Sequence, residues 1–378
     1  MRLLVLNYEY PPLGGGAANA TRHLLDAWAR HDEIEIVLIC SSPDVASIES
    51  PHAKVRIERL DIGKRGGLHY QTQLDLLRYA WRAWRRSRQL LREERFDGCL
   101  AFFGIPCGFI ASRLGLPYIV SLRGSDVPFY NPRFALLDRL LFQRLSRRVW
   151  RRAACVVANS VGLRLLANKT AADQMIEVIP NGVDTERFHP PLSPAEGFEI
   201  LCVARLIPRK GIADLIRAVA QLPPAARLTV IGDGTERDNL KLLAEGLGIA
   251  ERVRLLGALP HDALPPHYRA AHVFALPSKN EGMSNTVLEA MASGLPLVLT
   301  DTGGTAELLE PGVNGVMVPM SDPAALARAL MRYLEEPELA RAHGAVSRRK
   351  SEAMGWKASA EAYLKLFEQH FAGSRRDA

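Results

Sequence analysis

The chain has 378 residues, 48% of them hydrophobic and 24% charged, and a formal net charge of +7. That length suits two domains, each able to build its own core. No apolar run approaches the ~20 residues needed to span a bilayer. The five scattered cysteines (Cys40, Cys99, Cys107, Cys155 and Cys202) contain no CxxC pair, which fits a reducing cytoplasm and no structural zinc.

LLVLNY (3–8) reads as a first strand, too short an apolar run for a signal peptide, and residues 17–29 as a helix. IEIVLIC (34–40) and KVRIERL (54–60) follow as strands, and 74–91 as a basic helix. GCLAFF (98–103), PYIVSL (117–122), ACVVANS (154–160) and IEVIPNGVD (176–184) complete a first set of strands. A stretch rich in proline and polar residues, 181–198, then separates this set from a second. Its strands are EILCVARL (199–206), RLTVIGDG (227–234), VRLLGAL (253–259), HVFALP (272–277), LPLVLT (295–300) and GVMVPM (315–320). Its helices are 211–221, 237–246 and 287–293. Strand alternating with helix predicts two α/β domains in tandem, each a mostly parallel sheet with helices on both faces. Ligands of such sheets bind beyond the carboxyl ends of the strands, so two domains with facing strand ends would enclose a cleft.

Charge is uneven along the chain. Residues 78–95 hold seven arginines and two tryptophans, and 133–152 hold seven more arginines. Such clusters suit phosphate-rich surfaces, either membranes or nucleic acids. Trp81 and Trp84, three apart on a helix, are spaced as core residues often are; their arginine neighbours equally suit a membrane face.

The segment 278–294, SKNEGMSNTVLEAMASG, carries the most chemistry. Strand, small polar turn and helix follow one another, with Glu281 before the helix and Glu289 on it. A helix N-terminus offers free amides and a positive dipole end to an anion such as phosphate. Carboxylates accept hydrogen bonds from hydroxyls, as on sugars. Phosphate with sugar hydroxyls describes a nucleotide sugar. The alternatives are a surface glutamate at 289 and a dipole-favoured charge at 281, but LEAMASG is apolar and small around Glu289. Paired carboxylates also serve glycoside hydrolysis; the phosphate-binding features beside these two favour ligand binding.

Arg205 and Lys210 flank a proline turn after the first strand of the second domain. Two cations there could bind a diphosphate and stabilise a charged leaving group; a solvated basic turn is the alternative. Gly14, Gly15 and Gly16 precede the first helix, where backbone could approach a ligand closely; a plain flexible loop is the alternative. Neither that loop nor Gly232 and Gly234 in IGDGTER makes a GxGxxG fingerprint. Arg123 and Asp126 in SLRGSD follow a strand and could overlook the cleft or form an internal ion pair or cap. No Asp-x-Asp occurs, and the ten histidines lack HExxH spacing, so no metal is expected; Arg205 and Lys210 could replace one.

Together these motifs resemble the retaining glycosyltransferases of GT-B fold, family four, the group 1 type. The resemblance runs over nearly the whole chain: YPPLGGGAAN, SLRGSD, ANS (158–160) and IPNGVD (179–184) in the first half, then ARLIPRKG, IGDGTER, EGMSNTVLEAMASGLPLV and TGGTAELL. The tail from Trp356 to Tyr363 looks like the family's last helix, which crosses back to the first domain. The implied fold is two Rossmann-like doubly wound domains facing across a cleft. The first, 1–185 with 357–378, would bind the acceptor and the second, 186–356, the nucleotide-sugar donor.

The resemblance implies roles at matching positions. Glu281 would contact the donor sugar and Glu289 the ribose. The amides of Gly282, Met283, Ser284 and Asn285 would hold phosphate with Gly15 and Gly16, and Gly232 would border the donor. Arg205 and Lys210 would neutralise the leaving diphosphate. Many relatives carry histidine where this chain has Arg123; an arginine stays protonated and cannot act as a base, though it could bind an anion, with Asp126 positioning the acceptor. The reaction implied is retaining transfer from a UDP- or GDP-linked sugar to a glycan or lipid-linked acceptor in polysaccharide or cell-envelope assembly, without cofactor or metal. It would occur in the cytoplasm, peripheral on the inner membrane surface, with no nucleic-acid partner. A nucleotide-sugar epimerase or hydrolase on the same fold is the nearest alternative, and a basic nucleic-acid-binding protein a remote one.

Overall fold

The computed structural model describes residues 1–64, 71–130, 135–193 and 197–372. Arg133 of the second arginine cluster, residues 194–196 of the proline-rich stretch and residues 373–378 of the tail lie outside the described residues. The chain forms two compact units, Met1–Asn181 with Trp356–Ala378, and Gly182–Gly355.

Among the described residues the first unit is built on eight strands: β1 Arg2–Leu6, β2 Glu35–Ser42, β3 Ser47–His52, β4 Val55–Asp61, β5 Gly98–Phe102, β6 Tyr118–Leu122, β7 Cys155–Ala158 and β8 Glu177–Val178. Their order is β3-β4-β2-β1-β5-β6-β7-β8. Every pairing is parallel except β3 with β4. β1 lies inside, with Leu3 opposite both Ile36 and Gly98. Leu3 to Leu6 are fully buried, as continuous apolar strands are when helices cover both faces. The last helix, Trp356–Phe371, packs on the first, Gly16–Trp28. Trp28 donates its indole N–H to the Ala360 carbonyl (3.1 Å) and meets Phe367 edge-on at 5.3 Å. Phe371 lies so close to β5 that a Cβ on Gly98 would sit 2.5 Å from its ring. The expected return of the C-terminal helix is therefore a packed reality, held by aromatic burial.

The second unit has β9 Phe198–Val203, β10 Ala226–Ile231, β11 Val253–Leu255, β12 Val273–Leu276, β13 Leu297–Thr300 and β14 Gly315–Val318. All pairings are parallel, in the order β11-β10-β9-β12-β13-β14. The order reverses between β9 and β12, and in the first unit between β1 and β5. At such switch points the loops at the carboxyl ends of adjacent strands run to opposite sides and leave a crevice for ligand. That puts Ala204–Lys210 beside the turn at 277–284, and Asn7–Gly16 beside the loop after β5.

Several expectations are corrected. IEVIPNGVD supplies only the two-residue strand β8; Pro180 and the turn residues after it cannot extend the ladder. β3 was absent from the expected elements, because its six residues are all exposed and lack an alternating pattern. Helices Pro323–Glu335 and Pro337–Glu352 were also absent, though the first carries a clear signal. Asp322 caps Ala325 N–H, Pro323 opens the helix, and Leu326, Leu330 and Tyr333 fall on one buried face.

The arginine-rich helix Gln73–Glu93 starts with a Thr72–Asp75 capping box. Its arginines divide in the fold. Arg86 forks onto buried Glu58 (2.6 and 3.0 Å), Arg78 binds the Gly63 carbonyl and Arg82 approaches Asp61. Arg85 lies over Trp81, and Arg88 over Trp84. The tryptophans divide too: Trp84 packs partly on the core while Trp81 is 56% exposed.

Candidate active site

In the second unit, β9 ends at Val203 and the chain turns through the short 3-10 segment Pro208–Lys210. Gly211 closes it in the left-handed region (φ 67°), and a Cβ there would lie 2.1 Å from the Pro277 carbonyl oxygen. The two switch-point loops thus touch backbone to backbone, which only glycine permits. Lys279 N–H donates to the Arg209 carbonyl across the same seam (2.8 Å).

This seam sets Lys210 against Glu281. The Lys210 ammonium donates to Glu281 Oε1, and Ser278 Oγ donates to the same oxygen at 2.7 Å. The two side chains are only 11% and 14% exposed. Burial alone would raise the Glu281 carboxyl; the ammonium beside it outweighs burial and holds it below its ordinary value. Glu281 also bridges Gly303, and Gly304 lies against the Gly282 carbonyl where a Cβ would clash at 2.2 Å. The TGG segment therefore backs the Glu281 turn. Arg205 is exposed and makes no ion pair among the described residues.

Helix Asn285–Ala292 begins at Ser284, whose side chain does not cap it but meets Thr286 Oγ1 at 3.1 Å. Met283 is buried, while Gly282, Ser284 and Asn285 are half-buried. One turn on, Glu289 is 6% exposed. His261 Nε2 meets its Oε1 at 2.9 Å, and Tyr268 OH donates to its Oε2 at 2.8 Å. A carboxylate only accepts, so His261 carries its proton on Nε2. Burial, then the neighbouring Glu289, hold the Tyr268 hydroxyl well above its ordinary value, so it stays a donor. Among the described residues each Glu289 oxygen has one donor, which leaves it a further lone pair. Neither His261 nor Tyr268 was expected here. No spacing relates residues 261 and 268 to 289; only Pro265, which opens helix Pro265–Ala270, hints at an ordered segment.

Gly232 has a packing reason for its identity. Its φ is 141°, and a Cβ would sit 1.9 Å from the Ala204 carbonyl oxygen. It lets β10's exit run against the loop that carries Arg205.

The first-unit candidates form a separate group. Gly15 caps helix Gly16–Trp28 with no side-chain hydrogen bond, and both glycines are exposed. Glu9 Oε2 accepts from Gly15 N–H at 3.3 Å, and Asn7 Oδ1 accepts from Glu9 N–H at 2.9 Å. After β6, Asp126 Oδ1 accepts from Arg123 N–H (2.9 Å) and Gly124 N–H (3.0 Å), and Oδ2 from Gly104 N–H (2.7 Å). Burial raises its carboxyl despite these donors. Asp126 thus spends both oxygens on backbone. Arg123 lies 4.5 Å over the Phe102 ring and donates from Nη1 to Asn181 Oδ1 at 2.8 Å. Burial lowers its guanidinium from the ordinary value. The two groups meet through loop backbone, not as the ion pair raised as an alternative.

Two doubly wound units, with the last helix returned to the first, define the GT-B architecture. Sucrose-phosphate synthase from Thermosynechococcus elongatus has this fold, with a TM-score of 0.87 at 22% identity over 98% of this chain and 99% of that one. Anabaena HepE in complex with UDP-glucose is similar at a TM-score of 0.77 and 21% identity, over 98% of this chain and 100% of its own. In sequence, residues 15–182 match the family described as Glycosyl transferase 4-like domain, and 184–350 match Glycosyl transferases group 1. The chain belongs to the group 1 glycosyl transferases. One relative is a GDP-mannose-dependent alpha-(1-6)-phosphatidylinositol monomannoside mannosyltransferase of Mycolicibacterium smegmatis, 35% identical over 46% of this chain and 50% of its own. The chain spans about half the length of the curated relatives it matches.

Proposed function

We propose that this chain transfers a hexose, with retention, from a nucleoside diphosphate sugar to a hydroxyl of a glycan or lipid-linked acceptor in polysaccharide or cell-envelope assembly. The observation that carries the reading is the second-unit constellation: the buried Lys210–Glu281 pair, the uncapped helix start at Ser284 and the oriented Glu289 carboxylate. In this reading the free lone pairs of Glu289 accept the ribose hydroxyls. The amides of Gly282 to Asn285 take phosphate, aided by the helix dipole. Arg205 and Lys210 offset the charge that grows on the departing diphosphate, in place of a metal. Glu281 orients the donor sugar. The leaving phosphate and the entering hydroxyl use one face of the sugar, so positioning and electrostatics carry most of the rate. Arg123, a permanent cation, serves as an anion or donor ligand. The HepE complex and the mannosyltransferase are named with UDP-glucose and GDP-mannose respectively, which supports a nucleotide sugar and leaves the base open.

A thermal-shift panel with UDP, GDP, ADP, their sugars and NAD tests the donor. A ligand at 100 times its dissociation constant stabilises by about 2.7 kcal/mol. A shift with one nucleoside diphosphate, lost in Glu289→Ala, supports the site; a flat panel counts against it. Product analysis with and without acceptor, in the presence of EDTA, separates transfer from epimerisation or hydrolysis and tests metal independence.

The second part of the proposal is peripheral binding to the cytoplasmic membrane face. Leu74, Leu77 and Trp81 are exposed on the arginine-rich helix, and no helix among the described residues is long and apolar enough to cross a membrane. Indifference to anionic vesicles at moderate salt would sink this part.

A further inference from the structure

The helical stretch after residue 134 has an unusual outer surface. Three segments follow one another, Ala135–Leu137, Asp138–Phe142 and Gln143–Arg152, with helical backbone angles kept at both junctions. The inward residues are Asp138, Ser146, Val149 and Trp150. Asp138 Oδ2 accepts from Phe129 N–H at 2.8 Å. Those contacts fix which side faces out. On that outer side stand Leu136, Leu137, Leu140 and Leu141, exposed by 70%, 45%, 63% and 55%. Lone exposed leucines are ordinary on a soluble surface; four within six residues, on adjacent turns of one helix, form a contiguous patch that is not.

Charge says what covers the patch. Residues 135–152 hold six arginines and one aspartate, and that aspartate is turned inward. Arg139, Arg144 and Arg148 are exposed and make no hydrogen bond or ion pair among the described residues. The helix therefore presents a leucine end followed by a cationic shaft. Its α-helical shaft, Gln143–Arg152, rises about 14 Å at 1.5 Å per residue. Leucines that pass below the headgroups, with arginines held at the phosphates, match the interface of an anionic leaflet. Arginine stems also tolerate that boundary by extending their charge toward water.

We infer that Leu136, Leu137, Leu140 and Leu141 are the insertion element of this chain: they enter the hydrocarbon boundary of an anionic lipid surface, with Arg139, Arg144 and Arg148 on lipid phosphates. The inference deepens the membrane part of the proposed function and does not depend on the donor chemistry. It assigns insertion to this patch and leaves the Gln73–Glu93 helix to contribute attraction.

The test is co-sedimentation of the full chain with vesicles of phosphatidylcholine, with or without phosphatidylglycerol. A triple variant, Leu136→Ser with Leu140→Ser and Leu141→Ser, keeps the charge unchanged. Its binding to the anionic vesicles should fall about tenfold or more, since apolar burial supplies the lost affinity. Its thermal melt and nucleotide shifts should stay as in the parent, because the replaced side chains face solvent. An environment-sensitive dye on Leu140→Cys should move to shorter wavelength with anionic vesicles. Equal binding of parent and triple variant, or no dye response while the parent sediments, overturns the inference. So does a parent dimer in sedimentation velocity that the triple variant abolishes, which would make the patch a contact between copies. A flat nucleotide panel would count against the donor reading alone.

Discussion

The two units repeat one sheet architecture but ready their strand-end loops in opposite ways. In the second unit, side chain pairs with side chain: Lys210 with Glu281, and His261 and Tyr268 with Glu289. In the first unit, the carboxylate pairs with backbone: Asp126 holds the amides of Gly104, Arg123 and Gly124, alongside the side-chain pair of Arg123 with Asn181. A side-chain pair can exchange one partner for a ligand hydroxyl or phosphate with little movement. A carboxylate bound to three amides is committed to the shape of its loop. Substitutions in the second unit should therefore be felt in turnover as well as in folding, and those in the first chiefly in folding.

The largest effect is expected at Lys210. Lys210→Ala leaves Glu281 nearly buried without its cation, which should cost about 3 kcal/mol of stability and about 100-fold or more in rate. Denaturant melts and initial rates read the two losses; an unchanged rate would break the contrast. Asp126→Ala comes next, with about 2 kcal/mol lost from stranded amides, while Asp126→Asn, which keeps one acceptor oxygen, should lose about half of that. If either changes turnover far more than the melt, the first unit is not the folding-limited one. Tyr268→Phe removes one donor from Glu289 and should raise the donor KM about fivefold, near 1 kcal/mol, with kcat little changed.

The smallest effect is in pH. Glu281 titrates below its ordinary 4.5 in the folded chain. The stabilisation from its pair is thus complete above that value and is lost as pH falls through the folded value. The stability difference between parent and Glu281→Gln should stay flat from neutrality down to about pH 5 and shrink below it. A difference that shrinks on the alkaline side instead would mean that Lys210, not Glu281, governs the pair.

Much of this was legible residue by residue. Apolar runs such as LLVL and FALP announced buried parallel strands, because a strand covered on both faces has no polar side to show. SNTVLEAMASG announced a helix with a small, open start, and the structure builds it as Asn285–Ala292. The partners of Glu289 were not legible: His261 and Tyr268 arrive from a loop and short helix whose positions depend on where β11 and β12 lie in the sheet. The role of Gly232 was equally hidden, since its need for φ 141° arises from the Ala204 carbonyl of a neighbouring loop. The division of the arginines depended on strand neighbours such as Glu58 and Asp61.

By itself the sequence determined what local chemistry can determine: the order and type of most strands, the two-domain plan, and the residue types at the strand ends. These follow from periodicity, glycine and proline, whose effects act within a few residues. Only the tertiary structure decided which side chains are partners. Ion pairing and burial depend on contacts between segments far apart in the chain, such as Lys210 with Glu281 and His261 with Glu289. The same rule separates the exposed leucines at 136–141 from the many buried ones: composition is identical, and only packing says which face was left uncovered.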